Sequence, residues 1–129
     1  MVATMAPKKT VLVVEDDRES NRLLSKQLKA SGLQVTSAAA VQDCVHHFAE
    51  YGLPDLIVLD LELADGYGTD VLDDIAYAPQ RPKIVVVSAN VYASHIPLTE
   101  YEDLIDDILL KPVSPRGLVA LVKNLLSIE

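Results

Sequence analysis

The chain has 129 residues, half of them apolar and 23% charged, which is enough for one domain with a core and too apolar for intrinsic disorder. Lys and Arg number 11 against 19 Asp and Glu, a formal charge of −8, which argues against tight non-specific binding to nucleic acid or docking on anionic lipid. The single cysteine, Cys44, rules out an internal disulfide or a Cys-rich zinc site and fits a reducing, cytoplasmic setting, and no run approaches the ~18 apolar residues of a membrane span.

Met1 to Lys9 has no apolar h-region and reads as a short flexible tail, leaving residues 10–129 as the folded domain. Four apolar runs follow: Val11-Leu12-Val13-Val14, Leu56-Ile57-Val58-Leu59, Ile84-Val85-Val86-Val87 and Ile108-Leu109-Leu110. Their length and β-branched content suit strands covered on both faces. Leu33-Gln34-Val35-Thr36 alternates instead, the pattern of an edge strand with one wetter face.

Helical patterns lie between the runs. The first helix is expected from an N-cap at Asp17 to a stop at Gly32, burying Leu23, Leu24 and Leu28. Val41, Cys44, Val45, Phe48 and Ala49 share one helical face. A third helix near Thr69–Ala76 offers Leu72, Ile75 and Ala76. A fourth is expected to begin near Pro97, since proline breaks a helix that runs through it, with Leu98, Tyr101, Leu104 and Ile105 inward and Asn90–His95 as a loop. The last has Ser114 at N-cap, Pro115 at N1 and an apolar face of Leu118, Leu121, Val122, Leu125 and Leu126. Alternating β-α units, repeated five times, imply an α/β fold with a parallel sheet and helices on both faces.

In such sheets ligands bind beyond the carboxyl ends of the strands. Glu15, Asp16 and Asp17 follow the first run, Asp60 the second buried run, Ser88 the next and Lys111 the last, so these groups are expected to converge. Crowded carboxylates repel one another and call for a cation. Mg²⁺ suits them, because it takes oxygen ligands and often shares its shell with phosphate. Lys111 can neutralise phosphoryl oxygens, Ser88 can donate to them, and an Asp facing the site can become an aspartyl-phosphate.

Val-Leu-Val-Val-Glu15-Asp16-Asp17, Pro54-Asp55-Leu-Ile-Val-Leu-Asp60, Val87-Ser88-Ala89 and Lys111-Pro112 together resemble the receiver domain of two-component response regulators over about residues 10 to 127. The resemblance implies a flavodoxin-like (βα)5 sandwich with strand order 2-1-3-4-5 and Asp60 as phosphoacceptor. It implies Asp16 as a direct Mg²⁺ ligand beside Asp60, Glu15 as a ligand through water, and the backbone carbonyl of Glu62 as a further ligand. Ser88 is the switch hydroxyl, Lys111 the phosphoryl-neutralising lysine, and the Lys111–Pro112 bond is expected to be cis. Gly68 matches the family's turn glycine. Three departures stand out. Leu63-Ala64 stands where the family often has Met-Pro or Leu-Pro. Ile108 occupies the place of the switch aromatic, and Asp103-Leu104-Ile105-Asp106-Asp107 replaces a small-residue stretch.

The expected function is therefore a stand-alone receiver that takes a phosphoryl group from a histidine kinase or histidine phosphotransfer protein. It would catalyse only its own phosphotransfer and dephosphorylation. Its output would be a protein contact or onward phosphotransfer, as a monomer or weak dimer, with no direct contact to nucleic acid or membrane. Two other classes compete. A small phosphatase could use Asp60 as nucleophile with Glu62 as second acid, resembling the HAD-type hydrolases, though those usually carry a cap domain. A phosphorylation-independent interaction module would not need the metal. An FMN-binding role fits least, because the first loop is acidic. His46, His47 and His95 lack metal spacing, Cys44 fits the core, and Tyr92 and Tyr101 read as packing or surface residues rather than substitute switch aromatics. Glu100, Glu102, Asp103, Asp106 and Asp107 read as a solvated face.

Overall fold

The computed structural model describes residues 7–89 and 98–129. The expected loop Asn90–His95, with Tyr92, His95 and Pro97, lies outside the described residues, as does most of the expected N-terminal tail. Five strands form the main sheet: β1 (Thr10–Val14), β2 (Gln34–Ala38), β3 (Leu56–Asp60), β6 (Lys83–Ser88) and β7 (Asp107–Leu110). All pairings are parallel and the order is β2-β1-β3-β6-β7, which is the expected 2-1-3-4-5 when the main strands are counted alone. A small antiparallel pair, β4 (Glu62–Leu63) with β5 (Gly66–Tyr67), follows β3 and was not expected from the sequence.

The helices are α1 (Arg18–Ala30), α2 (Val41–Tyr51), α3 (Gly68–Ile75) and α4 (Pro115–Leu125), with a 3-10 helix over Leu98–Leu104. They cover both faces of the sheet. Leu24 and Leu28 of α1 and Leu118 and Val122 of α4 pack on Val11, Val13, Val58 and Val85. Cys44 of α2 and Val71, Leu72 and Ile75 of α3 pack on Leu12, Ile57, Leu59 and Val86. Because side chains alternate along a strand, one continuous apolar run supplies both layers.

Several sequence expectations need correction. β7 is an edge strand, not one covered on both faces, and Ile108 and Leu110 are exposed. Leu23 is exposed on α1 rather than buried, and Val45 and Ala49 are exposed on α2. The periodicity finds a helix face but not how wide a strip its neighbours cover. Leu98, Tyr101, Leu104 and Ile105 do turn inward, but the first three lie on a 3-10 helix rather than an α-helix and Ile105 just follows it. Glu102 and Asp103 near its C-terminal end oppose the helix dipole.

Local chemistry fixes the ends of the elements. Asp17 caps α1 by accepting from the Ser20 amide at 3.0 Å, and Ser114 caps α4 by accepting from the Gly117 amide at 3.1 Å. The N-cap position of α2 is Ala40, which has no capping side chain. Asp65, in the turn between β4 and β5, takes that role from a distance, accepting from the Val41 and Gln42 amides at 2.8 and 3.1 Å. These two bonds hold its carboxyl below the usual aspartate range. Asp55 likewise binds the Thr10 amide at 2.8 Å and ties the start of β3 to β1.

Gly68 is buried where the chain folds back against the end of β3. Its amide donates to the Leu61 carbonyl at 2.8 Å, and a Cβ here would sit 2.4 Å from the Asp60 carbonyl oxygen. Backbone cannot yield as a flexible side-chain end can, so Gly68→Ala should lower unfolding free energy by on the order of 2–3 kcal/mol in urea titration. Gly117→Ala, whose Cβ would meet only ordinary contacts beyond 3.4 Å, is the matched control and should not.

Candidate functional site

The carboxyl ends of β1, β3, β6 and β7 bring together the groups that the sequence pointed to. Glu15 follows β1, Asp60 ends β3, Ser88 ends β6 and Lys111 follows β7. Glu15, Asp60 and Ser88 are buried, Lys111 is half-buried and Asp16 is exposed. The Lys111 Nζ donates to Glu15 Oε1 at 2.6 Å and to Asp60 Oδ2 at 2.7 Å. One ammonium thus bridges two buried carboxylates that would otherwise repel. Its backbone amide donates to the Ser88 carbonyl at 2.8 Å, which fixes β7's end against β6. The following Lys111–Pro112 bond is cis, as expected.

Glu15 is not a solvated acid at the site's margin. Its residue is 4% exposed, and burial, the hydrogen bond with Asp60 and the charge of Asp60 outweigh Lys111 to push its pKa up to about 7. For Lys111, burial acts against the charge, but the hydrogen bonds and charges of Asp60 and Glu15 prevail and raise its pKa. Asn21, which the sequence reading missed, anchors this corner. Its Nδ2 donates to the Glu15 carbonyl at 3.0 Å and the Ala38 carbonyl at 3.2 Å, joining α1, β1 and β2 behind the acidic loop. The signal was present: a buried amide among Leu24, Ser25 and Leu28 on one helix face.

Carboxylate oxygens of Glu15, Asp16 and Asp60 lie within 4.8 Å of one another. An all-oxygen donor set this compact fits a hard divalent cation. A cavity of about 350 Å³ beside it is lined by Asp16, Asp60, Glu62, Leu63, Ser88 and Lys111, among others. Glu62 therefore borders the site, with its amide donating to Asp60 Oδ1 at 3.1 Å, and its side chain is exposed.

The remaining candidates fall elsewhere. Ile108 pairs in register with Val86 on the outer strand and is 40% exposed. Tyr101 donates to Asp73 Oδ1 of α3 at 2.8 Å, a packing role rather than a place beside Ser88. His46 is exposed and His47 lies in tilted ring contact with Tyr51, and neither joins a metal-binding group among the described residues. Cys44 is buried and burial pushes its thiol up to about 12. Asp106 accepts from the Ile84 amide at 2.7 Å and so has a structural task, while its acidic neighbours are exposed.

The family model of the response regulator receiver domain matches residues 11–123. The chain is 33% identical over 121 residues to a protein named "Probable transcriptional regulator ycf27" from Cyanophora paradoxa, covering 92% of this chain and 48% of that protein. It is 33% identical over 102 residues to the KDP operon transcriptional regulatory protein KdpE of Escherichia coli, covering 79% and 44%. The chain thus spans about half the length of the curated relatives it matches. Its fold is shared with a CheY-like receiver domain from Methanospirillum hungatei JF-1, at a TM-score of 0.83 and 24% identity, covering 94% of this chain and 95% of that one.

The raised pKa of Glu15 has a definite sign. The folded state holds its proton up to about pH 7, whereas the unfolded chain releases it near 4.5. Its contribution to stability is full below 4.5 and is lost as pH rises through about 7. Glu15→Gln keeps the neutral form at every pH. In chelator, its urea stability relative to wild type should therefore improve between pH 5 and pH 8.5 by on the order of 2 kcal/mol. A pH-independent difference would contradict this.

Proposed function

The chain belongs to the response regulator receiver family, and from that premise we propose that Asp60 is the residue that accepts the phosphoryl group. The observation that carries the assignment is the Lys111 ammonium held 2.7 Å from Asp60 and 2.6 Å from Glu15, where Lys111 and Asp60 line one cavity with Asp16 and Ser88. A carboxylate oxygen of Asp60 forms the new P–O bond as the donor's P–N bond breaks, and the departing histidine ring keeps the electron pair and takes up a proton. Lys111 turns its ammonium toward the incoming phosphoryl oxygens, and the Ser88 hydroxyl donates to one of them. Positioning and charge neutralisation do most of the work in such a transfer. Glu15, Asp16 and Asp60, with the Glu62 carbonyl, would hold Mg²⁺, which when bound withdraws charge from the phosphoryl oxygens. Water later cleaves the acyl phosphate and restores the carboxylate.

The donor is a phosphohistidine on a kinase or phosphotransfer protein. Exposed Leu23, with Leu24, Pro112 and Val113, lines a groove of about 410 Å³ that reaches Lys111 itself, which supports docking of the donor there. The free-substrate phosphatase is not favoured, since the family matched over residues 11–123 is one of receivers. No helix among the described residues is long and apolar enough to cross a membrane.

Acetyl phosphate with Mg²⁺ should label the wild type, and intact-mass spectrometry should find no label on Asp60→Asn. Lys111→Ala should slow labelling by roughly 10²-fold. Equal labelling of wild type and Asp60→Asn would remove the assignment. Leu23→Asp should leave acetyl-phosphate labelling intact and slow transfer from a cognate kinase, found by profiling a kinase panel, by about ten-fold or more. Unchanged transfer would place the donor's contact elsewhere.

A further inference from the structure

The chain's charge is unevenly spread, and one face runs against the total of −8. Arg18, Arg22, Lys26 and Lys29 recur at three- and four-residue steps along α1, so they form one stripe. All four are exposed, and among the described residues none is in an ion pair. The stripe does not face the Leu23 groove. It forms one wall of a separate groove of about 1030 Å³ between α1 and α2, which reaches the end of β2 at Ser37 and Ala38 and has Glu15 and Asp16 at its rim.

Ser37 and Ala38 on the floor of that groove end a strand whose outer edge is open. Among the described residues β2 pairs only with β1. The Gln34 amide donates to the Lys9 carbonyl and the Ala38 carbonyl accepts from Glu15, so residues 34, 36 and 38 turn their backbone toward β1. A strand residue's N–H and C=O point to the same side, and successive residues alternate. The backbone groups of Val35 and Ser37 therefore point outward, and no described residue pairs with them. The opposite wall, on α2, is different in chemistry. It carries the His47 and Tyr51 rings, 5.1 Å apart and inclined at 44°, with His46 and two acids, Asp43 and Glu50.

We propose that this groove binds an extended polypeptide segment of a partner protein in which acidic and apolar residues alternate, added beside β2 as a further strand. Alternate side chains of an added strand point to opposite faces, so one set meets α1 and the other meets α2. The acidic set answers the cationic stripe. The repeat matches, because side chains four apart on a helix rise by ~6 Å and side chains two apart on a strand by ~6.7 Å. The apolar set lies on His47 and Tyr51. The acids on α2 turn away a polyanion such as a nucleic acid or an anionic membrane, which would present negative charge to both walls.

The probe is a peptide of about a dozen residues alternating Glu and Val, titrated into the full chain and followed by amide NMR and fluorescence anisotropy. Binding should shift the Val35 and Ser37 amides and saturate. R22E/K26E should weaken binding about ten-fold or more, while acetyl-phosphate labelling at Asp60 stays as in wild type. Ser37→Pro should also prevent binding, because it removes an outward N–H that an edge strand can spare. If that variant does not fold, R22E/K26E and the two amide signals decide. Three results would overturn the proposal: no shift at Val35 and Ser37 at millimolar peptide, equal binding of a Lys–Val peptide, or tighter binding of duplex DNA or phosphatidylserine vesicles that R22E/K26E abolishes.

Discussion

Two buried carboxylates share one ammonium, and the rest of the site depends on that arrangement. Glu15 follows β1 and Asp60 ends the adjacent parallel strand β3, so the fold forces their charges together inside a region of low dielectric. Without Lys111 that placement would be strongly unfavourable. The lysine is in turn set by β7, whose pairing with β6 brings its backbone amide to Ser88. A receiver site of this kind is thus a property of the sheet's order rather than of any one loop. Reordering the strands would scatter the acids and leave each one ordinary.

The same logic extends to the turn after Asp60. Gly68 lets the chain press against the Asp60 backbone carbonyl, and Asp65 ties the β4–β5 turn to the first amides of α2. The segment carrying Glu62 is therefore fixed at both ends. Asn21 does the equivalent work on the acidic loop, binding the Glu15 and Ala38 carbonyls from α1. These contacts convert three separate strand ends into one site with a defined shape. On the far side, the exposed strand β7 carries Ile108 where the family places its aromatic, and Tyr101 is engaged with Asp73. A signal leaving this site cannot use an aromatic at position 108.

Much of this was legible in the sequence, for identifiable reasons. Runs such as Val11–Val14 and Leu56–Leu59 report burial on both faces, and the polar residues that end them mark one end of the sheet. Ser114-Pro115 announces a helix start by local chemistry alone. What escaped depends on partners far along the chain. Asp65 caps a helix 24 residues earlier, a relation no local pattern encodes. Leu23 and Val45 keep helical spacing yet stay exposed, because spacing says nothing of how far the neighbouring layer extends. The edge status of β7 follows from strand order, and its apolar composition conceals it. The raised pKa of Glu15 likewise needs the burial that only the assembled fold supplies.

The central claim is that Asp60, Lys111 and the acidic pair form one phosphoryl-binding unit. Fluorine NMR of the wild type with beryllofluoride and Mg²⁺ tests it most directly, since beryllofluoride on a carboxylate imitates the acyl phosphate. The account predicts resolved bound-fluorine resonances that require Mg²⁺, shift on Lys111→Ala and vanish on Asp60→Asn. Bound resonances that persist in Asp60→Asn, or their complete absence from the wild type, would contradict it.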